Sequence, residues 1–199
     1  MYSLFIGFWP ALQWVYDKYL THLYDKENND DHIIININKA KEKLKRDEIK
    51  NINEIKDKIC RNVVSFTNCI GSLLFCVGYY VTGYELLFNV LIIYPLTYYI
   101  YDTYVIINKK LINDYNYIIH HILTIIYIEI LYKIYFNDPY YIYELIKLFF
   151  MMELSNIPMY LVYHSLQKLK LEPNNIELQK KIHTFKKLQL GIYGSIRIL

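Results

Sequence analysis

Tyr115-Asn116-Tyr117-Ile118-Ile119-His120-His121-Ile122-Leu123-Thr124 opens an apolar run that continues to Phe136. The run is about 22 residues long, enough for a helix to cross a bilayer. Two adjacent histidines lie about one turn inside it. An imidazole in hydrocarbon is costly without a partner, so an intramembrane pair marks a candidate functional site. The plainer account is that neighbouring helices satisfy both rings near the headgroups. From the residues of this stretch alone, both accounts stand.

The rest of the chain determines what kind of bundle holds this run. Of its 199 residues, 54% are hydrophobic, and 22 Lys and Arg against 19 Asp and Glu leave a formal charge of +3. That balance is too mild to imply a nucleic-acid partner. Three cysteines, Cys60, Cys69 and Cys76, form neither an even set nor a CxxC, so neither a disulfide framework nor a zinc site is indicated. The 23 tyrosines accompany abundant Asn, Ile and Lys. This pattern looks like A/T-rich coding, so aromatic clusters are discounted as evidence of binding. No basic n-region opens the chain and Trp9-Pro10 interrupts the first apolar run, so no cleavable signal peptide is expected.

Taken in order, residues 1–25 form an aromatic, apolar segment that fits either a short tilted span or an interfacial anchor. Residues 26–60 are a charged linker: Glu27 to Asp31 is polar, and residues 39–59 are dense in Lys and Glu. Ile52, Ile55 and Ile59 recur there at helical spacing, predicting a solvated amphipathic helix. A membrane domain fills residues 61–199. Its spans are expected at 62–84, 86–107, 115–136 and 140–164, followed by a charged connection over 167–187 and a last apolar helix from Leu188. The fold class is therefore an all-α polytopic membrane bundle with about five spans. A soluble all-α protein of this size would struggle to bury four runs of span length.

Lys and Arg concentrate in 39–61, Lys109-Lys110 and 168–187, whereas the loops near 83–85 and 137–139 carry none. Alternation places the basic segments on one face, which is expected to be cytosolic. A helix over 188–199 would extend only about 18 Å, short of a hydrocarbon core of about 30 Å, so the chain is expected to lack the end of its domain.

Several polar residues fall inside the spans. Arg61, Ser65, Cys69, Ser72 and Cys76 step by four, four, three and four, which is the small-residue stripe of a packing face. Asp102 and the histidines lie about five residues from the basic ends of their spans, at roughly 7–8 Å depth. Glu153, Ser155 and Arg197 lie deeper. Asp102, His120, His121, Glu153 and Arg197 are expected to form one polar cluster. Neighbouring residues on a helix point about 100° apart, so one histidine is expected to meet Asp102 while the other faces a cavity. An Asp–His pair in low dielectric can make a general base. The competing account of Asp102 is a helix-bundle hydrogen bond or a snorkel to the interface. Glu144 and Lys147 fit an intrahelical ion pair, and Glu129 has no assigned role. No HxxxH or ExxH spacing supports a metal site.

Arg61-Asn62-Val63-Val64-Ser65, Tyr101-Asp102-Thr103, His120-His121-Ile122-Leu123-Thr124, Glu153-Leu154-Ser155 with Pro158, and Ser195-Ile196-Arg197 follow one another in order. This series resembles the TLC domain, the multi-span domain shared by ceramide synthases and a broader group of TLC domain-containing proteins. The resemblance covers about residues 60–199. It implies an endoplasmic-reticulum or related membrane, a role in sphingolipid or phospholipid make-up, and membrane lipids as partners. It also implies His120, His121 and Asp102 as candidate catalytic residues, with Arg61, Glu153, Ser155 and Arg197 as a lipid-binding or structural polar group. The ceramide synthase branch carries an aspartate pair in the helix after the histidines, where this chain has Glu153 and Ser155. That departure favours a non-catalytic lipid role, with no cofactor. The alternative is an acyl-CoA-dependent N-acyltransferase, with acyl-CoA as co-substrate. A transporter or proton relay on the same buried charges is more remote.

Overall fold

The computed structural model describes residues 2–28, 39–109, 115–137 and 139–197, with side chains for 7–20, 22, 54–109, 116–134 and 141–196. Most of the Glu27–Asp31 linker, Lys110, Asn113, Asp114 and the middle of the Asn137-Asp138-Pro139 turn lie outside the described residues, as do the side chains of Ile52, Phe136 and Arg197. The described residues form six helices: α1 Tyr2–Asn28, α2 Lys39–Thr82, α3 Glu85–Asn108, α4 Tyr115–Asn137, α5 Pro139–Leu171 and α6 Ile176–Arg197. Over the described residues, four stretches are long and apolar enough to cross a membrane: Glu54–Thr82, Glu85–Asn108, Asn116–Ile134 and Tyr141–Leu171. The protein is an all-α, multi-pass membrane bundle.

Three boundaries differ from those read in the sequence. The amphipathic helix of residues 39–59 and the first span are one 44-residue helix, α2. No Gly or Pro occurs between Lys39 and Ile70, so nothing interrupts the backbone ladder. The charged connection expected over 167–187 narrows to a turn around Glu172–Asn175. There the Asn175 side chain accepts from the Leu178 backbone N–H at 2.9 Å and caps α6. Glu177 occupies the first turn of that helix, where a negative charge suits the dipole. The apolar run from Leu188, expected as a separate fifth span, is thereby the second half of an amphipathic helix. Continuing a helix capped at Asn175 costs less than nucleating a new one.

The core gathers around α3, the most enclosed of the four spans. Gly83, at φ +63°, turns the chain from α2 into it, a conformation that costs glycine little. α2 lies along α3 and α5 through its small-residue face, with Cys69, Ser72 and Cys76 all at or below 1% exposure. Tyr94 of α3 fills the gap over Gly71 and donates to the Thr67 carbonyl at 3.2 Å. The N-terminal helix joins the same core. Trp9 of α1 is fully buried, packs edge-on against Tyr98 and donates to Thr97 Oγ1 at 3.2 Å. α6 pairs with the later part of α5.

At the other end of α3, Lys109 meets Asp57 of α2 at 2.9 Å. The basic end of α2 and the C-terminus of α3 are therefore level. A Cβ at Gly71 would collide with the Tyr94 ring, whereas nothing lies within 4 Å of one at Gly191. Gly71→Val should lower unfolding stability in detergent by about 1–3 kcal/mol through overpacking. Gly191→Ala should leave it unchanged or raise it slightly through helix propensity.

Candidate functional site

Asp102 is where three helices meet. It is 6% exposed, one turn and a half before the end of α3. Arg61 of α2 points Nε and Nη2 at it, each 3.3 Å from Oδ1, with Nη2 also 3.3 Å from Oδ2. From the opposite side, His121 of α4 brings Nε2 to 3.5 Å from Oδ2. The other ring nitrogen of His121, Nδ1, lies 2.9 Å from Thr103 Oγ1. Consecutive α3 residues thus address the two nitrogens of one imidazole, fixing both its position and its orientation. His121 is 3% exposed. Its plane is further enclosed by Tyr98 and Tyr99, whose ring centroids lie 6.4 and 5.2 Å away.

His120 is placed differently. One residue earlier, the helix turns its ring outward, where it is exposed and contributes to the wall of a cavity of about 360 Å³. Arg61, Asp102 and His121 form part of that wall, opposite Tyr160 and Asn156 of α5 and Tyr193 of α6. The cavity sits at the basic end of the bundle, because Lys58 and Asn116 also line it. The wall mixes hydrogen-bonding groups with tyrosine faces and Met159. Such a wall can hold a polar headgroup against aromatic surface.

Glu153 belongs to a second polar group, deeper in the bundle. It is 4% exposed, accepts from Tyr99 Oη at 3.2 Å and from Asn156 Nδ2 at 3.5 Å, and its backbone carbonyl accepts from Cys69 Sγ at 3.2 Å. The single polar cluster expected from depth is thereby two groups, joined through adjacent Tyr98 and Tyr99. The Glu153 carboxylate meets Tyr99 of α3 and Asn156 of its own helix, whereas that of Asp102 meets Arg61 and His121. Ser155 is fully buried and donates to the Met152 carbonyl at 2.7 Å, outside the cavity wall. The Arg197 side chain lies outside the described residues. Glu129 pairs with Lys133 on the outer face of α4 at 2.8 Å, and Glu144 with Lys147 on α5 at 2.7 Å. Among the described residues, no three His, Cys, Asp or Glu side chains are grouped to hold a metal ion.

The residues that sequence reasoning missed are mostly tyrosines. Tyr98 donates to Ser65 Oγ at 2.6 Å, and Ser65 in turn to the Arg61 carbonyl at 2.9 Å, bracing the helix that carries the guanidinium. Coding bias concealed them, because a composition rich in tyrosine gives no reason to prefer one over another. Thr103 had a visible signal, its place directly after Asp102.

Compared with protein-family models, curated proteins and solved structures, the chain matches none.

Arg61→Leu leaves the Asp102 carboxylate buried without its cation, and should cost about 3–5 kcal/mol in unfolding stability. Replacing both partners, Arg61→Leu with Asp102→Leu, should recover most of that loss, since the apolar pair needs no desolvation of charge. Chemical denaturation of the two variants in the same detergent measures the difference.

Proposed function

We propose that this chain is a TLC-type membrane protein that acts on membrane lipid composition by holding a lipid headgroup in the cavity beside His120. One observation carries this reading: a cavity of about 360 Å³, whose wall sets hydrogen-bonding groups among tyrosine faces, lies at the basic end of the bundle. A solute entering there leaves water for a wall of tyrosine, asparagine and histidine groups, while its apolar remainder stays among membrane helices. The order of the motifs from Arg61 to Ser195 supports the family, and Glu153-Leu154-Ser155 supports its non-ceramide-synthase branch. The lysine-rich segments support a cytosolic orientation of the cavity mouth. The endoplasmic reticulum follows from the family resemblance.

The placement of the two histidines favours a second reading, an acyl-CoA-dependent N-acyltransferase. His121 is engaged at both nitrogens by α3, so its role would be positional. His120 stands on the cavity wall and would take the proton from an amine attacking the thioester carbonyl of acyl-CoA, then return it to the CoA sulfur as the C–S bond breaks and CoA leaves as the thiol.

Two measurements on the full chain separate these readings. Purification from membranes, followed by mass spectrometry of bound lipid, should recover a co-purifying lipid. His120→Ala and Tyr160→Ala should deplete it several-fold without loss of helix content. Recovery of the same lipid from both variants would sink the cavity reading. Incubation with a long-chain base and an acyl-CoA should yield no N-acyl product under the first reading. Under the second it yields product that His120→Ala abolishes. Loss in His121→Ala alone would argue against a catalytic His120.

A further inference from the structure

Arg61 and Ser65 of α2 line the cavity. Asn68 and Ser72 continue the same stripe inward, since steps of four, three and four stay on one face of a helix. They are 1% and 0% exposed, yet Asn68 Oδ1 and Ser72 Oγ meet no hydrogen-bond partner among the described residues. A buried polar atom is costly until something bonds it. Inside a protein that partner is commonly an ordered water, which typically joins about three such groups.

Glu153 supplies the third group. Cys69 follows Asn68 on α2 and places its Sγ 3.2 Å from the Glu153 backbone carbonyl, so Glu153 stands on α5 at the level of Asn68 and Ser72. Its two carboxyl oxygens already accept from Tyr99 and Asn156. A carboxylic acid there needs an acceptor for its own O–H, and Asn68 Oδ1 and Ser72 Oγ are acceptors. Neither is within direct hydrogen-bond reach of Glu153, so water must bridge them. Ser65, Asn68 and Ser72 are about 4.5 and 6 Å apart in height, close to the roughly 5–6 Å that one water spans with two hydrogen bonds. Tyr99 and Asn156 also belong to the cavity wall, so polar groups reach Glu153 from the cavity on all three helices. Beyond it the core closes with Phe88, Leu91, Ile142 and Ile146, all at or below 2% exposure. The titratable groups that face Glu153 are Cys69 and Cys76 of α2, Tyr98 and Tyr99 of α3 and Tyr160 of α5, which are ordinarily neutral near pH 7.

We propose that Glu153 is a proton-binding site loaded from the basic end of the bundle, through ordered water held by Asn68 and Ser72. On release, the carboxyl O–H breaks and its proton passes to the first water. Each water hands one proton on, and the cavity receives one. The carboxylate left behind keeps the donors Tyr99 and Asn156. Uptake reverses these steps, and the apolar layer beyond Glu153 blocks passage to the opposite face. The ligand of this site is water and its proton, and the site needs no lipid headgroup in the cavity.

The test follows the carboxylic C=O stretch of the full chain by infrared spectroscopy in lipid nanodiscs. Glu153→Gln should remove one band from the acid-minus-alkaline difference spectrum. On dilution of the parent into heavy water, that band should shift well before the backbone amides of α2 and α5 exchange. Asn68→Leu and Ser72→Ala should each slow the shift several-fold. Asn68→Ser, which keeps an oxygen and leaves room for a further water, should match the parent. With the chain oriented in proteoliposomes, a pH step on the basic side should change the band, and a step on the opposite side should not. A shift no faster than amide exchange would overturn the proposal, because the proton would then arrive by local unfolding. So would Asn68→Leu and Ser72→Ala exchanging at the parent rate, a difference spectrum that Glu153→Gln leaves unaltered, or an equal response from both sides. If Asn68→Leu fails to fold, Ser72→Ala and the amide comparison still decide.

Discussion

One buried carboxylate holds the basic end of this bundle together. Asp102 of α3 receives Arg61 from α2 and His121 from α4, so one anion ties three helices whose remaining contacts are largely apolar, with a few neutral hydrogen bonds and the Lys109–Asp57 pair beside it. In lipid such contacts discriminate poorly between registers, because the acyl chains outside are as apolar as the side chains within. A charge that can be satisfied in only one arrangement supplies that discrimination. A buried ion pair is weak evidence for net stability, since desolvation offsets much of the attraction. Its contribution here is better understood as fixing the rotation and height of α2 and α4 about α3.

Deeper in the bundle the same problem is solved differently. Glu153 has no described cation within salt-bridge reach, and its carboxylate oxygens are met by Tyr99 and Asn156. Neutral donors satisfy a buried carboxyl without the desolvation of a second charge. Nearby, the buried side-chain atoms Asn68 Oδ1 and Ser72 Oγ have no hydrogen-bond partner among the described residues. Polar character thus continues along α2 past the cavity, on the face that the small-residue stripe turns towards α5.

Much of this frame could be read from the sequence, because hydrophobic length and charge placement are properties of the chain itself. The four spans correspond to the four long apolar runs, and counting residues from the basic ends put Asp102 and the histidines at one height. Lateral position was not legible. Height does not say which way a side chain points around its axis, so Glu153 was grouped with Asp102 although it faces Tyr99. Helix continuity was also underestimated. Charged residues 39–59 looked like a separate unit because composition changes at Asn62, yet backbone geometry responds to Gly and Pro rather than to polarity. The turn before α6 rested on one asparagine, a local cap that a hydropathy reading passes over.

The adjacent histidines then acquire distinct roles from a single geometrical fact. Successive residues on a helix diverge by about 100°, so a helix that buries one ring against its neighbour must turn the next away from it. His121 is taken up by Asp102 and Thr103, which leaves His120 to present its ring at the cavity wall. The buried member anchors the rotation of α4, and that rotation sets where the exposed member stands. It also fixes what the far side of α4 shows. With His121 turned inward, Ile119, Ile122, Ile126, Glu129 and Lys133 are carried outward together. The carboxylate at the centre of the bundle thus determines both the chemistry available at the cavity and the charged seam on the outer surface.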